Sequence, residues 1–198
     1  TTTPWTLPSN QFAAVHPDID YVTAELVDEN GNKDERKVVM AAALVDSIAA
    51  KLKKKATVLS TCKGQTLVGR RYVPPFDCYY KTLGDVMGRL TSGKTEHVAW
   101  RVTSAEFVTT ESGSGIVHEA PAFGEVDFDL LMEQISRFEP GEGPELICAV
   151  APDGKFTDEF PQCQGRWVKD CDKDIIRMLK ANGRIYRASK DYLHSYPH

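Results

Sequence analysis

The stretch Asp28-Glu29-Asn30-Gly31-Asn32 constrains the fold of this chain more than any other segment. Asn-Gly tolerates positive φ and closes a tight hairpin. The runs on either side, residues 21–27 and 36–41, are therefore expected to be antiparallel neighbours. Similar punctuation recurs along the sequence, at Pro74-Pro75, at residues 91–96, at Pro140-Gly141-Glu142-Gly143-Pro144 and at Asp153-Gly154. Between these breaks short strands are expected at 11–15, 57–61, 97–104, 106–110, 115–118, 146–150 and 185–188. Leu44, Val45, Ile48 and Leu52 recur at helical spacing, which predicts an amphipathic helix over 44–55. A short helix over 83–90 and another over 126–136, after an acidic first turn, follow. A last helix is expected with Asp172 as its cap and Ile175, Ile176, Met178 and Leu179 on its face, ended by Asn182-Gly183. Many short strands with few helices imply an α/β or α+β domain around a curled sheet.

The 198 residues suit one domain, and 41% hydrophobic with 26% charged residues suits a globular one. A net charge of −4 argues against holding nucleic acid by overall charge, so any such contact must be local. The one basic cluster, residues 51–55, reads as a solvated helix end. No apolar run approaches membrane-spanning length. Five cysteines, an odd number without Cys-x-x-Cys, point to free thiols rather than a disulfide framework or zinc site.

Two polar clusters could carry chemistry. Thr1, Thr2, Thr3 and Thr6 offer hydroxyls that can hold a water, a ribose hydroxyl or a developing oxyanion. They equally suit a strand end. Pro4 and Pro8 restrict the backbone around Trp5, which reads as a pocket wall or as core. Downstream, a strand delivers His118, and Asp127 follows in the first turn of a helix, an arrangement that brings a histidine and a carboxylate to one pocket. Alone, Asp127 also reads as an acid offsetting the helix dipole and His118 as a satisfied, partly buried histidine. Gly113-Ser114-Gly115 is not a nucleophile elbow, so no triad is formed.

Thr1-Thr2-Thr3-Pro4-Trp5-Thr6-Leu7-Pro8-Ser9-Asn10 resembles the threonine-rich peptide of the isoleucyl-tRNA synthetase editing domain. Valyl and leucyl relatives usually carry Arg at the position of Thr3 and an acid at that of Trp5. The run from Gly115 to Glu125, Gly-Ile-Val-His-Glu-Ala-Pro-Ala-Phe-Gly-Glu, resembles the family's second editing motif in its eukaryotic-cytosolic or archaeal style. Residues 191–198 resemble the return segment into the aminoacylation domain. Ser114 stands where the family usually has Thr, and Glu119 where a neutral residue is common, which could alter the charge around His118.

The resemblance implies a single editing domain over residues 1–198, cut from a larger synthetase, with an α/β fold built on a curled, barrel-like mixed β-sheet and flanking helices. It implies hydrolysis of the ester joining valine to isoleucine tRNA. Thr2, Thr3, His118 and Asp127 would form the catalytic set, Asp127 holding the substrate ammonium. Thr1, Trp5, Thr6, Asn10, Gly115 and Tyr192 would bind substrate, with Trp5 and His118 shaping the side-chain pocket. No metal or cofactor is implied. The partners would be the tRNA acceptor end and the rest of the synthetase, in a cytoplasmic monomer without membrane contact. The rival readings are a non-catalytic tRNA 3′-end module, a valyl or leucyl editing domain and, with no visible ligand set, a metal-dependent hydrolase.

Overall fold

The hairpin forms where Asn30-Gly31 stands. Gly31 has φ +84°, and the Asp28 carboxylate accepts from the backbone N–H groups of Asn30 and Asn32 at 2.9 and 2.8 Å. The computed structural model describes residues 1–111, 113–186 and 188. The turn joins β2 (Asp20–Val27) to β3 (Val38–Ala41), and β2 pairs on its other edge with β4 (Lys55–Lys63), giving a sheet of order β3-β2-β4. β1 (Phe12–Val15) lies between β7 (Val102–Ser104), parallel to it, and β8 (Val117–Glu119), antiparallel to it. β5 (Met87–Arg89) and β6 (Thr95–His97) form a third, two-stranded piece. The helices are α1 (Val45–Leu52), α2 (Tyr80–Leu83), α3 (Glu125–Ser136) and α4 (Asp172–Ala181).

Two joints position the functional segments. The first links the sheets: Tyr21, fully buried, donates its hydroxyl to Gly115 O at 2.6 Å, and Ala41 N donates to Ser114 O at 2.9 Å. The second links the N-terminal segment to α4. Residues Pro4–Ser9 form a 3-10 helix, and its Leu7 packs into a core with Phe156, Phe160, Ile175 and Leu179. Asp172 Oδ1 accepts the Trp5 N–H at 3.2 Å. The Asp172 carboxylate is thus turned to the N-terminal segment; the cap position of α4 is Cys171. Of the expected face of α4, Ile175 and Leu179 are buried, Met178 packs at the margin and Ile176 is half-buried.

Several expected elements differ, each for a local reason. The strand expected at 97–104 is cut at Trp100, whose φ of +50° is left-handed, so only β6's end and β7 remain. The helix expected at 83–90 is instead α2, which stops at Leu83 with Gly84 as its C-cap, followed by β5. Leu83, Val86 and Met87 are exposed, so the segment has no buried apolar face to hold a longer helix. Residues 106–110 turn rather than extend: only Val108 points inward, and Phe107 is exposed. Residues 146–150 find side-chain partners in place of a neighbouring strand, Ile147 N donating to Gln11 Oε1 (3.4 Å) and Ala149 N to Ser9 Oγ (2.9 Å). α1 stops early because Lys53 is left-handed (φ +54°), which scatters the basic residues 51–55 over a helix end, a turn and β4. The strand expected at 185–188 is absent at 185 and 186, and Arg187 lies outside the described residues. The five thiols are free, with Cys163 and Cys171 buried.

Gly115 shows how tightly the sheet joint is built. It has φ +73°, and a Cβ there would sit 2.5 Å from Ala41 Cβ. Gly115→Ala is therefore expected to destabilise the domain by more than about 1 kcal/mol, because it meets both a left-handed backbone and a fixed neighbour. Urea unfolding of the two proteins measures it.

Candidate functional site

Asn10, the last residue of the threonine-rich segment, is where the site is assembled. It is buried, and its side-chain NH2 donates to Phe12 O (2.9 Å) and, at longer range, to Glu119 O (3.4 Å). These two carbonyls fix the amide's orientation, because they can only accept. The same NH2 then donates to His118 Nδ1 at 2.8 Å, while Asn10 Oδ1 accepts the Tyr72 hydroxyl at 2.7 Å. The backbone carbonyl of Asn10 accepts the Trp100 indole N–H at 2.9 Å.

The histidine's tautomer follows. With Nδ1 accepting, the proton sits on Nε2, which donates to Thr6 Oγ1 at 3.0 Å; Thr6 Oγ1 in turn donates to Thr3 O at 2.9 Å. Burial lowers the His118 pKa to about 4. The ring is therefore neutral across the physiological range, and both nitrogens are engaged. Desolvation raises the Tyr72 pKa, so its phenol is neutral as well. The sign for stability is that of a depressed base: the histidine's contribution is complete above its unfolded pKa near 6.5 and is lost as pH falls toward 4.

An open cavity of about 610 Å³ lies against this knot. Asn10, Tyr72 and His118 line it, and so do three cationic side chains, Arg36, Lys37 and Arg184. The overall charge is acidic, yet here the positive charge converges. Sequence reading missed this rim because its members are distant in the chain and meet only through the hairpin and the segment after α4.

The remaining expected residues distribute unevenly. Thr1 and Thr2 are exposed and Thr3 is half-buried, with Thr1 Oγ1 accepting the Thr3 N–H at 3.1 Å. Thr6 and Asn10 join His118 directly. Trp5 packs edge-on against Phe123 of the second motif, ring centroids 4.9 Å apart, and does not line the cavity. Gly115 serves the sheet joint, while its neighbours Ser114 and Ile116 reach the cavity. Asp127 stands in the first turn of α3, where its Oδ2 accepts the Ala120 N–H at 2.8 Å. It is not a cavity-lining residue, so the single His–Asp pocket expected from sequence is instead divided between β8, which carries His118, and the first turn of α3, which carries Asp127. Glu119, expected to alter the charge around His118, has Asp127 as its electrostatic neighbour; His118 is shifted by burial. Tyr192 and residues 191–198 lie outside the described residues. Among the described residues no group of three or more His, Cys, Asp or Glu could hold a metal, and no helix is long and apolar enough to cross a membrane.

The fold, with this threonine-rich segment set against the second motif, is that of an aminoacyl-tRNA synthetase editing domain. Solved structures with the same fold include the crystal structure of GlLeuRS-CP1, at TM-score 0.60 and 15% identity, covering 100% of this chain and 83% of that one. Another is the editing domain of the P. falciparum cytosolic leucyl-tRNA synthetase, at TM-score 0.60 and 10% identity over 92% of this chain and 75% of that one. Along its whole length the chain is homologous to a segment of isoleucine–tRNA ligases. It is 40% identical over 200 residues to the enzyme of Corynebacterium diphtheriae and 39% identical over 199 residues to the cytoplasmic enzyme of Schizosaccharomyces pombe. Each match covers 100% of this chain and 17% of the relative. Bacterial and yeast relatives are thus equally similar, and identity does not single out a eukaryotic-cytosolic or archaeal style. No family model matches the chain.

The knot makes a quantitative expectation. Asn10→Ala leaves the Tyr72 hydroxyl and His118 Nδ1 without their partner, and each buried polar group left unmade costs about 1–3 kcal/mol. Tyr72→Phe removes one bond and leaves only Asn10 Oδ1 wanting. Denaturant unfolding should therefore rank Asn10→Ala well below Tyr72→Phe, with Tyr72→Phe below the unaltered protein.

Proposed function

We propose that this chain hydrolyses the ester linking valine to isoleucine tRNA, as the editing domain of an isoleucine–tRNA ligase. The observation that carries the reading is the Thr6–His118–Asn10 knot set against a cavity rimmed by Arg36, Lys37 and Arg184. A cavity with three cations at its edge suits the phosphates of a tRNA 3′ end, and the hydroxyl-rich segment suits its terminal ribose. The need is chemical. One methylene separates isoleucine from valine and gives only about 1–3 kcal/mol of discrimination, for which isoleucyl-tRNA synthetases are the standard illustration. A second pocket that admits valine and overlaps isoleucine adds a steric term, because overpacking a rigid site costs about 1–3 kcal/mol.

His118 would form part of that wall as a neutral ring held from both sides. Its lone pair already accepts from Asn10, so it is poorly placed as a general base. Thr2 and Thr3, near the start of the segment, would orient the attacking water or the vicinal ribose hydroxyl. Catalysis then rests on orientation and on donors aimed at the developing oxyanion. Asp127 would hold the α-ammonium of the aminoacyl group. Trp5 would act at one remove, through Phe123, and Gly115 by fixing the turn that presents Ser114 and Ile116. The remainder of the synthetase would supply most of the tRNA contact, and the domain would work in the cytoplasm as part of a monomeric enzyme.

A non-catalytic module that only grips the tRNA end is the second reading, favoured by the engagement of both His118 nitrogens. Incubation with valine-charged isoleucine tRNA separates the two: release of valine above the spontaneous rate supports the hydrolase, and binding without release supports the module. Lys37→Glu should raise the apparent Kd for the tRNA and lower the salt slope of binding by about 1. An unaltered slope would remove the cationic rim from the account.

A further inference from the structure

Tyr186 lines the cavity, and the lysine run at 51–55 lies beside it, yet neither takes part in the proposed reaction. The two meet at one contact. Lys54 Nζ stands 5.7 Å from the centre of the Tyr186 ring, within cation–π range, and is also paired with Asp34. Around it in the chain Lys51, Lys53 and Lys55 are exposed, and none has an ion-pair partner among the described residues. Tyr186 is therefore the joint between the cavity and a basic turn.

Two arginines hold that joint in place. Arg36 donates to Gly183 O, and Arg184 donates to the carbonyls of Pro74 and Pro75, at 2.9 Å to the latter. The segment after α4 is thus tied to two other parts of the chain at the cavity. Carbonyl oxygens carry no net charge, so neither guanidinium is neutralised. Tyr186, two residues past Arg184, is 46% exposed and joins none of the hydrophobic clusters. Packing does not account for a ring in that position. Cations interleaved with an open aromatic ring suit a single nucleic-acid strand, the cations following phosphates and the ring stacking a base. An acidic peptide would use the lysines and leave the ring idle.

We propose that Tyr186 and the turn at Lys53–Lys55 form the track by which a single-stranded RNA 3′ end leaves the cavity, the penultimate base stacking on Tyr186 and the phosphates upstream passing over Lys53 and Lys55. The inference rests on the proposed hydrolase for what fills the cavity, namely the terminal nucleotide with its aminoacyl group. The next base is then the first to reach Tyr186. The track also shows how a chain of net charge −4 holds a polyanion: the contact is local, and its cations are gathered from the segment before β3, the end of α1, the start of β4 and the segment after α4.

Anisotropy titrations with the 5′-labelled tetranucleotide ACCA test the track, against the same oligonucleotide lacking its penultimate base. Tyr186→Ala should weaken ACCA by about tenfold and leave the abasic oligonucleotide unchanged, while Tyr186→Phe keeps the stacking face and binds ACCA normally. Lys53→Glu with Lys55→Glu should lower the salt slope for ACCA by about 1 and leave that for AMP, measured by competition, as it was. An equal loss for both oligonucleotides, as a merely structural tyrosine would give, overturns the proposal. So does no loss for either, or no binding of ACCA at low salt.

A polyglutamate peptide that binds with the same dependence on Tyr186 would assign the face to an acidic protein and overturn the track as well. Valine release is read separately. Base-dependent binding at Tyr186 without release from charged tRNA overturns the hydrolase and leaves the track standing. Release without base-dependent binding overturns the track alone.

Discussion

The Asn10 carboxamide is the interaction on which the rest of the site depends. One side chain ties together the end of the threonine-rich helix, the start of β1, the histidine of β8 and the phenol of Tyr72. Its backbone carbonyl also receives Trp100, a bulky residue held at φ +50°. Left-handed backbone at an aromatic residue costs about 1–3 kcal/mol and persists only where the surroundings over-determine it. Here they do: Trp100 N donates to Gln11 O, Trp100 O accepts from Tyr72 N, and the ring is buried. The strain and the knot sit on adjacent residues, so segments far apart in sequence meet at one defined place.

The electrostatics of that place are those of neutral groups. Histidine, tyrosine and glutamic acid are each shifted by burial towards their uncharged form. A site of this kind has little general-base strength. What it offers is fixed hydroxyls, fixed amides and a shaped wall, and these favour a reaction whose barrier is lowered by orientation and by dipoles already in position. Formal charge lies at the margins, with cations lining the cavity and Asp127 in the first turn of α3. A substrate carrying phosphates at one end and an ammonium at the other matches that distribution.

Much of the fold was legible because its signals are local. Asn30-Gly31 fixes a turn whatever surrounds it, and β2, β3, α3 and α4 follow from periodicity next to clear breaks. The strand at 97–104 was not legible as two pieces, since nothing in the composition of Trp100 announces a left-handed backbone. The segment 146–150 reads as a strand because it is extended; its partners are the side chains of Ser9 and Gln11, which periodicity cannot reveal. At the site, Thr6, Asn10 and His118 were named from motif residues, and they do meet. Tyr72, Arg36, Lys37 and Arg184 were not, because each comes from a segment with no motif of its own. Glu119 was visible only as a departure, and its meaning depends on burial and on Asp127, which is tertiary information.

The central claim is that the neutral ring of His118, clamped between Asn10 and Thr6, is the wall that separates a smaller aliphatic side chain from a larger one. The direct measurement is the ratio of valine to isoleucine release from charged isoleucine tRNA, by the unaltered protein and by His118→Ala. The account predicts a large ratio for the former and a ratio falling towards one for the latter, through gained attack on the isoleucine ester. An active His118→Ala protein with an unchanged ratio would contradict it.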